Sequence, residues 1–224
     1  MIKNFLSLKN KVAIVTGATG NLGRVVVKKL LEQGVRVVAA YRDEQRYKDL
    51  GDSVGEDKAA LTGISADVTV EKSVQKMVEE VIQKHGRIDI LLNLAGAYKG
   101  GADISNTAEG DWEFLMNINL KSAFLCSKAV LPSMMKANYG RIVSVAARPA
   151  VEKRGRAKSG PYAISKAGVV VLTETIAEEA KKFNITANCI MPSTIDTPEF
   201  SFGGFFQMGE ASRDCFGPHF PGFR

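Results

Sequence analysis

Along most of the chain, runs of apolar residues alternate with segments whose apolar residues recur every three or four positions. A short apolar run bounded by turn residues marks a buried strand, and spacing near 3.6 marks an amphipathic helix. KVAIVTG, VRVVAAY, ALTGISAD, IDILLNLAG, GRIVSVA and ITANCI are six strand candidates. Between them, LGRVVVKKLLEQG is helical with a stripe through Leu22, Val26 and Leu30, and VEKSVQKMVEEVIQKHG with one through Val74, Val78, Val81 and Ile82. One long helix is expected from about Asp111 to Ala137 and another from Tyr162 to Lys182. Consecutive parallel strands need crossovers, so the pattern predicts an α/β fold, a doubly wound, Rossmann-like parallel sheet covered on both faces.

The rhythm stops near the end. Residues 199–224 hold seven of the eleven phenylalanines and five glycines, with neither strand alternation nor a helical stripe. Two accounts stand open: an irregular aromatic tail packed over a substrate cleft, or an end foreign to this kind of fold. At 224 residues the chain is expected to be one domain, and 45% hydrophobic with 24% charged residues is globular composition. No apolar run reaches the roughly 20 residues that cross a bilayer. MIKNFLSLKNK lacks the apolar stretch and cleavage site of a signal peptide, so a cytoplasmic protein without a membrane partner is expected. Cys126, Cys189 and Cys215, with His85 and His219, form neither a disulfide framework nor a metal-ligand pattern. The net charge of +6 is spread through helices and loops, so nucleic acid is not the expected partner.

Chemistry enters at TGATGNLG, residues 16–23, where the first strand meets the first helix. Gly17, Gly20 and Gly23 allow a tight turn and close approach of backbone to a pyrophosphate, with Thr19, Asn21 and Leu22 between them and helix N-terminal amides to meet the charge. Without a Walker lysine, a dinucleotide is favoured over a nucleoside triphosphate. After the second strand, Tyr41 and Arg42 stand where an acidic residue would bind the ribose of NAD. Arg42 can pair with a ribose phosphate, which favours NADP over NAD, although Asp43 could still reach the ribose. Asp67 is placed either to contact the adenine edge or to cap a helix. Asn93 and Gly96 either line the cofactor or simply terminate the fourth strand. Tyr162 and Lys166, four residues apart near a helix start, project from one face, where an ammonium beside a phenol favours the phenolate.

Taken together, TGATGNLG, ADV, NLAG, Asn119 in INLKSAF, YAISK and PSTIDTP resemble the short-chain dehydrogenase/reductase family from about Lys9 to Pro198. The resemblance implies an NAD(P)-dependent oxidoreductase acting on a small carbonyl or alcohol. It makes Tyr162 the acid/base, Lys166 the residue that lowers its pKa and binds the nicotinamide ribose, and Asn119 the holder of a water relay. It also assigns Val68, Ala95 and Pro192 to the cofactor site, and Thr197 to its carboxamide. A homodimer or homotetramer packed through the two long helices is implied as well.

Several positions depart from the family pattern. Asn21 stands where a glycine is usual, Leu94 replaces the second asparagine after strand four, and Ser193 replaces a glycine in PSTIDTP. Ala147 occupies the place of the serine that polarises the substrate oxygen. Ser144 lies three residues earlier, on a strand whose period of two turns it away. The interval from Ala147 to Tyr162 is about two residues longer than usual, which could bring Ser159 into play. Within that interval, Arg148, Lys153, Arg154, Arg156 and Lys158 either steer an anionic substrate or form a basic loop without a ligand. After Pro198 the family's lid helix and seventh strand have no counterpart, which would leave the sixth strand exposed. An enzyme is therefore the first expectation, and a catalytically impaired or non-enzymatic dinucleotide-binding protein the second.

Overall fold

The computed structural model describes residues 8–152, 156–193 and 195. Within them lie six strands, β1 (Val12–Thr16), β2 (Arg36–Tyr41), β3 (Leu61–Ser65), β4 (Ile90–Asn93), β5 (Gly140–Val145) and β6 (Ile185–Ile190). The helices are α1 (Asn21–Glu32), α2 (Glu44–Ser53), α3 (Glu71–His85), α4 (Glu109–Leu115), α5 (Ser122–Ala137) and α6 (Gly160–Ala180). All pairings are parallel, in the order β3-β2-β1-β4-β5-β6, so the α/β doubly wound sheet is as expected.

The two-residue period of a strand divides the core. Val12 and Ile14 join one apolar cluster with Val74, Met77, Val81, Val130, Met134 and Ile176, beneath α3, α5 and α6. Ala13 and Val15 join the other with Val27, Leu31 and Leu50, beneath α1 and α2. A strand sandwiched this way is buried on both faces, and VAIVT is accordingly apolar from Val12 to Val15, with buried Thr16 closing it.

The helical stripes differ in detail from the expected ones. In α1 the fully buried line is Gly23, Val27 and Leu31, one residue past Leu22, Val26 and Leu30, because Gly23 sits against the backbone of the preceding turn. In α3, Met77 takes the place expected for Ile82, which is 38% exposed. The segment α2 lacked an apolar stripe in sequence, since it buries only Leu50 and Gly51, and it starts where the Asp43 carboxylate accepts from Arg46 N at 3.1 Å. The long helix expected from 111 to 137 is two helices, joined by a π-helical turn at Met116–Lys121.

A buried carboxylate fastens the bottom of the sheet. Asp89 is 1% exposed, and its Oδ2 accepts from Val12 N at 2.9 Å and from Arg87 Nε at 2.9 Å. Lys11 Nζ lies 3.5 Å from the other oxygen, and the Asp89 carbonyl accepts from Arg141 N at 2.9 Å. One residue thus registers β1, β4 and β5. Among the described residues, β6 pairs only with β5 and forms one edge of the sheet. No helix among these residues is long and apolar enough to cross a membrane. The tail at 199–224, Thr197, and Lys153 and Arg154 of the basic loop lie outside the described residues.

Asp89→Ala leaves the Val12 amide and the Arg87 guanidinium without their acceptor. Urea unfolding is expected to show a loss of about 3 kcal/mol, and Asp89→Asn, which keeps an acceptor, a smaller loss.

Candidate active site

In a sheet of this order the strand direction of growth reverses between β1 and β4, and ligands bind beyond the carboxyl ends of the strands at that point. Here the two strand ends are tied by a hydroxyl. Thr16 Oγ1 accepts from Leu94 N and Ala95 N, both at 3.1 Å, and donates to Leu92 O at 3.3 Å. Gly17 comes next in the left-handed region at φ +64°, and a Cβ there would fall 2.8 Å from Ala95 N. A Cβ on Gly23 would fall 2.1 Å from Gly17 O. These two glycines are therefore demanded by the chain's own packing as well as by any ligand.

The same packing leaves a fitting nucleotide cradle. Gly20 is the N-cap of α1, no side chain caps it, and the first turn carries no carboxylate, so the positive end of the helix dipole faces the turn. Asn21 opens the helix in place of the usual glycine, and Leu22 beside it is half-buried. The Thr19 carbonyl is held by Arg24 Nε at 3.1 Å. Arg42 is exposed at the end of β2, whereas Asp43 is engaged as the cap of α2. Tyr41 is half-buried and stacks on Tyr47 with ring centroids 4.7 Å apart.

Two of the residues assigned to the cofactor turn their side chains into the core. Val68 is buried in the core cluster, and the Asn93 amide points into the interior, donating to Ser127 Oγ and Ser144 Oγ at 3.2 Å each. Asp67 does not cap α3, whose N-cap is Val70. Its Oδ1 instead accepts from Thr69 N at 2.9 Å and Thr69 Oγ1 at 2.6 Å, and these bonds, with a smaller effect of Arg42, hold the carboxyl below its ordinary range.

The catalytic candidates converge on the backbone after β4. Asn119 lies on the π-helical turn, a distortion that often marks functional sites. Its Oδ1 accepts from Ala97 N at 2.9 Å, and its Nδ2 donates to Ala97 O at 3.0 Å and to Ser165 Oγ at 3.1 Å. Ser165 in turn donates to the Tyr162 carbonyl at 2.8 Å. A Cβ on Gly96 would stand 2.8 Å from Asn119 Oδ1 and 3.1 Å from Lys166 Nζ, so only glycine lets these side chains meet the loop. Gly168 likewise lets α6 approach Leu120, where a Cβ would come within 2.6 Å.

Lys166 is 5% exposed, and its Nζ donates to Val145 O at 2.7 Å. Burial pushes its pKa down to about 8. Tyr162, half-buried one helical turn away, has its phenol pushed up by burial and then by Tyr98. Here the Lys166 ammonium is engaged by a strand carbonyl, and the groups that shift the phenol are its burial and Tyr98.

The serine position is filled by a methyl group. Ala147 is 4% exposed at the end of the β5 segment. Ser144 faces Asn93, as the strand period required, and the buried Ser159 hydroxyl lies 3.4 Å from Arg156 O, to which it donates. The described arginines of the basic loop have partners: Arg148 Nε donates to Glu152 Oε2 at 2.8 Å and its Nη1 to Ser193 Oγ, after β6, at 3.2 Å. Arg156 donates to the carbonyls of Pro149 and Ala150 at 2.8 and 3.0 Å. The Pro192 carbonyl accepts from Arg148 N at 3.3 Å, which brings β6's end beside β5's. Sequence reasoning missed Thr16, Ser165 and Tyr98; the first two had only a strand-end threonine and a serine inside YAISK as signals.

Residues 11–201 match the family model described as short chain dehydrogenase. The chain belongs to this family. As a short-chain dehydrogenase it is 36% identical over 193 residues to the (2S)-[(R)-hydroxy(phenyl)methyl]succinyl-CoA dehydrogenase subunit BbsD of Thauera aromatica, covering 86% of this chain and 76% of that protein. It is 33% identical over 192 residues to the 3-oxoacyl-[acyl-carrier-protein] reductase FabG of Vibrio cholerae, covering 86% and 76%. The crystal structure of an NAD+-bound xylitol dehydrogenase superposes with a TM-score of 0.79 at 33% identity, over 83% of this chain and 71% of that one. This short-chain dehydrogenase is accordingly an NAD(P)-dependent oxidoreductase by type.

The buried ammonium has a thermodynamic signature. With a folded-state pKa of about 8 against an ordinary 10.5, Lys166 binds its proton more weakly folded than unfolded, a penalty of roughly 3 kcal/mol in full below pH 8 and relieved as pH rises to 10.5. Lys166→Met is expected to unfold at higher urea than wild type at pH 7, with the difference shrinking between pH 8 and 10.5; a pH-independent difference would exclude the depressed pKa.

Proposed function

We propose that the chain is a carbonyl reductase or alcohol dehydrogenase in which Tyr162 exchanges a proton with the substrate oxygen, with NADP preferred over NAD. The observation that carries this reading is the meeting of the Gly96 backbone, the Asn119 amide and the Lys166 ammonium beside the β1–β4 switch point, one helical turn from Tyr162. A nicotinamide held there supplies or takes the hydride at the carbonyl or carbinol carbon.

The protein's part is to bind, orient and move the proton. A phenol raised above its ordinary pKa carries its proton at neutral pH, which suits donation to a carbonyl oxygen and so favours reduction. Lys166 is largely cationic below about pH 8, and an ammonium has three donors, of which Val145 O takes one; the others suit ribose hydroxyls. Asn119 holds the loop and, through Ser165, the Tyr162 end of α6. Arg42 suits a ribose phosphate, because the neighbouring Asp43 carboxylate is committed to α2. The names of the relatives, a hydroxyacyl dehydrogenase and a 3-oxoacyl reductase, describe the same carbinol and carbonyl pair. Thr197 is assigned to the cofactor carboxamide by resemblance. Exposed Trp112, Phe114, Phe124, Ile164 and Val171 on the α4, α5 and α6 helices support association with a second copy.

One observation favours a weaker second reading. With Ala147 in the serine place, an oxyanion donor is missing, which can cost about a hundredfold or more in rate, and the chain would then bind dinucleotide with little turnover.

Titration with NADPH and NADH, followed by nicotinamide absorbance on adding carbonyl compounds, separates the readings. Tyr162→Phe is expected to lower kcat by about two to four orders of magnitude while leaving cofactor affinity within about twofold. Ala147→Ser is expected to raise kcat at least about tenfold. Unchanged turnover in Tyr162→Phe would remove Tyr162 from the chemistry. For the cofactor, Arg42→Ala is expected to weaken NADPH about tenfold and NADH hardly at all; equal losses for both would set aside the phosphate contact.

A further inference from the structure

The loop after β4 carries a second tyrosine to the side of Tyr162. Tyr98 and Tyr162 pack edge to face, with ring centroids 4.9 Å apart and an interplanar angle of 81°. Such a pair leaves at least one face of Tyr98 uncovered by Tyr162, and the residue is 68% exposed. The ring also packs against the loop that carries it. The Tyr98 hydroxyl lies over Gly100, where a Cβ would come within 2.4 Å of it. The next residue, Gly101, sits at φ +107° and donates to Lys158 O at 2.7 Å. Lys158 is itself in the left-handed region at φ +58°, inside the lengthened segment before α6. Farther along the same loop, Ile104 is 65% exposed, and its Cδ1 stands 2.5 Å from where a Cβ on Gly160 would be. Two glycines thus leave room for two exposed side chains, Tyr98 against Tyr162 and Ile104 against the start of α6.

We propose that Tyr98 is a specificity-determining residue, its open ring face forming a platform on which a flat, aromatic group attached to the substrate's carbonyl carbon stacks while the oxygen meets Tyr162. This rests on the reading of Tyr162 as the proton-exchanging group, and it adds the substrate class: aryl ketones and aryl carbinols over aliphatic ones. Offset stacking on a preset ring discriminates by shape, since a puckered ring of equal carbon number offers the same apolar bulk without a flat face. The bond from Gly101 to Lys158 ties the loop that carries Tyr98 to the segment before α6, which reduces the ordering of that loop required on binding.

The test uses two ketones with the same carbonyl group and carbon count, acetophenone and cyclohexyl methyl ketone. Their equilibrium binding to the full chain with saturating NADP+ is measured by ligand-observed NMR, which needs no turnover. Wild type and Tyr98→Phe are expected to bind the aryl ketone about three- to tenfold tighter than the cyclohexyl ketone, and Tyr98→Ala to lose that preference. Gly100→Ala, which displaces the ring without altering it, is expected to reduce the preference as well. Equal affinities in wild type, no measurable binding of either ketone, a preference that survives Tyr98→Ala, or one lost in Tyr98→Phe would each overturn the proposal. Absence of turnover with an intact binding preference would instead overturn the reading of Tyr162 and leave the platform standing.

Discussion

The arrangement depends on one hydroxyl. Thr16 Oγ1 accepts from two successive amides after β4, and by doing so holds the ends of β1 and β4 together where the sheet changes direction. Leu94 N also donates to Leu92 O at 3.2 Å, whereas Ala95 N donates to the Thr16 hydroxyl, so this one group completes the pairing of both amides where the strands part. With them satisfied, the Leu94–Ala95 backbone lies against Gly17, and Gly96 is brought under Asn119 and Lys166. The nucleotide turn and the catalytic helix are thus referenced to the same few atoms of backbone. Asp89 performs the corresponding service at the opposite end of the same strands, joining Val12, Arg87 and Arg141.

The electrostatics of the site stem from the depth at which that reference point lies. An ammonium taken out of water becomes a weaker base, and a phenol taken out of water a weaker acid. Lys166 and Tyr162 are shifted in these opposite senses by one cause, burial beside the loop after β4. A ligand that displaces water, or draws Lys166 away from the Val145 carbonyl, changes the surroundings of both groups together. What the protein alone sets is the neutral phenol, and that state is the one a proton donor requires.

The sheet and most helices were legible in the sequence because strand and helix periods are local properties of side-chain burial. VAIVT could only be a strand covered on both sides, and Val74, Val78 and Val81 could only be a helix face. The features that escaped have a tertiary origin. Gly23 moved the α1 stripe by one residue because it packs against the Gly17 carbonyl in the preceding turn, a contact without period. The α2 helix was hidden by burying little. Tyr162, Lys166, Asn119 and Gly96 could be singled out by motif, and they do come together. Asn93 and Val68 stand in the same motifs but turn inward, because at a strand end or in a tight turn the identity of a residue does not say which way its side chain points. Tyr98 had no motif at all, and only its ring contact reveals it.

The π-helical turn at Met116–Lys121 constrains how this region of the chain can vary. A turn that closes on the fifth residue instead of the fourth holds one residue more than its neighbours, a phase slip of about 100° between the helix before it and the helix after it. Glu109–Leu115 and Ser122–Ala137 are therefore one rod with two azimuths. Asn119 sits at the slip itself, so its direction is set by the extra residue and not by either flanking helix. Deleting a single residue from 116–121 would mend the rod and rotate the whole α4 face away from the one it now presents, whereas a substitution there would leave the azimuths unchanged. In this segment geometry demands a fixed number of residues, with side-chain identity mattering most at Asn119 and at Leu120, which packs against Gly168.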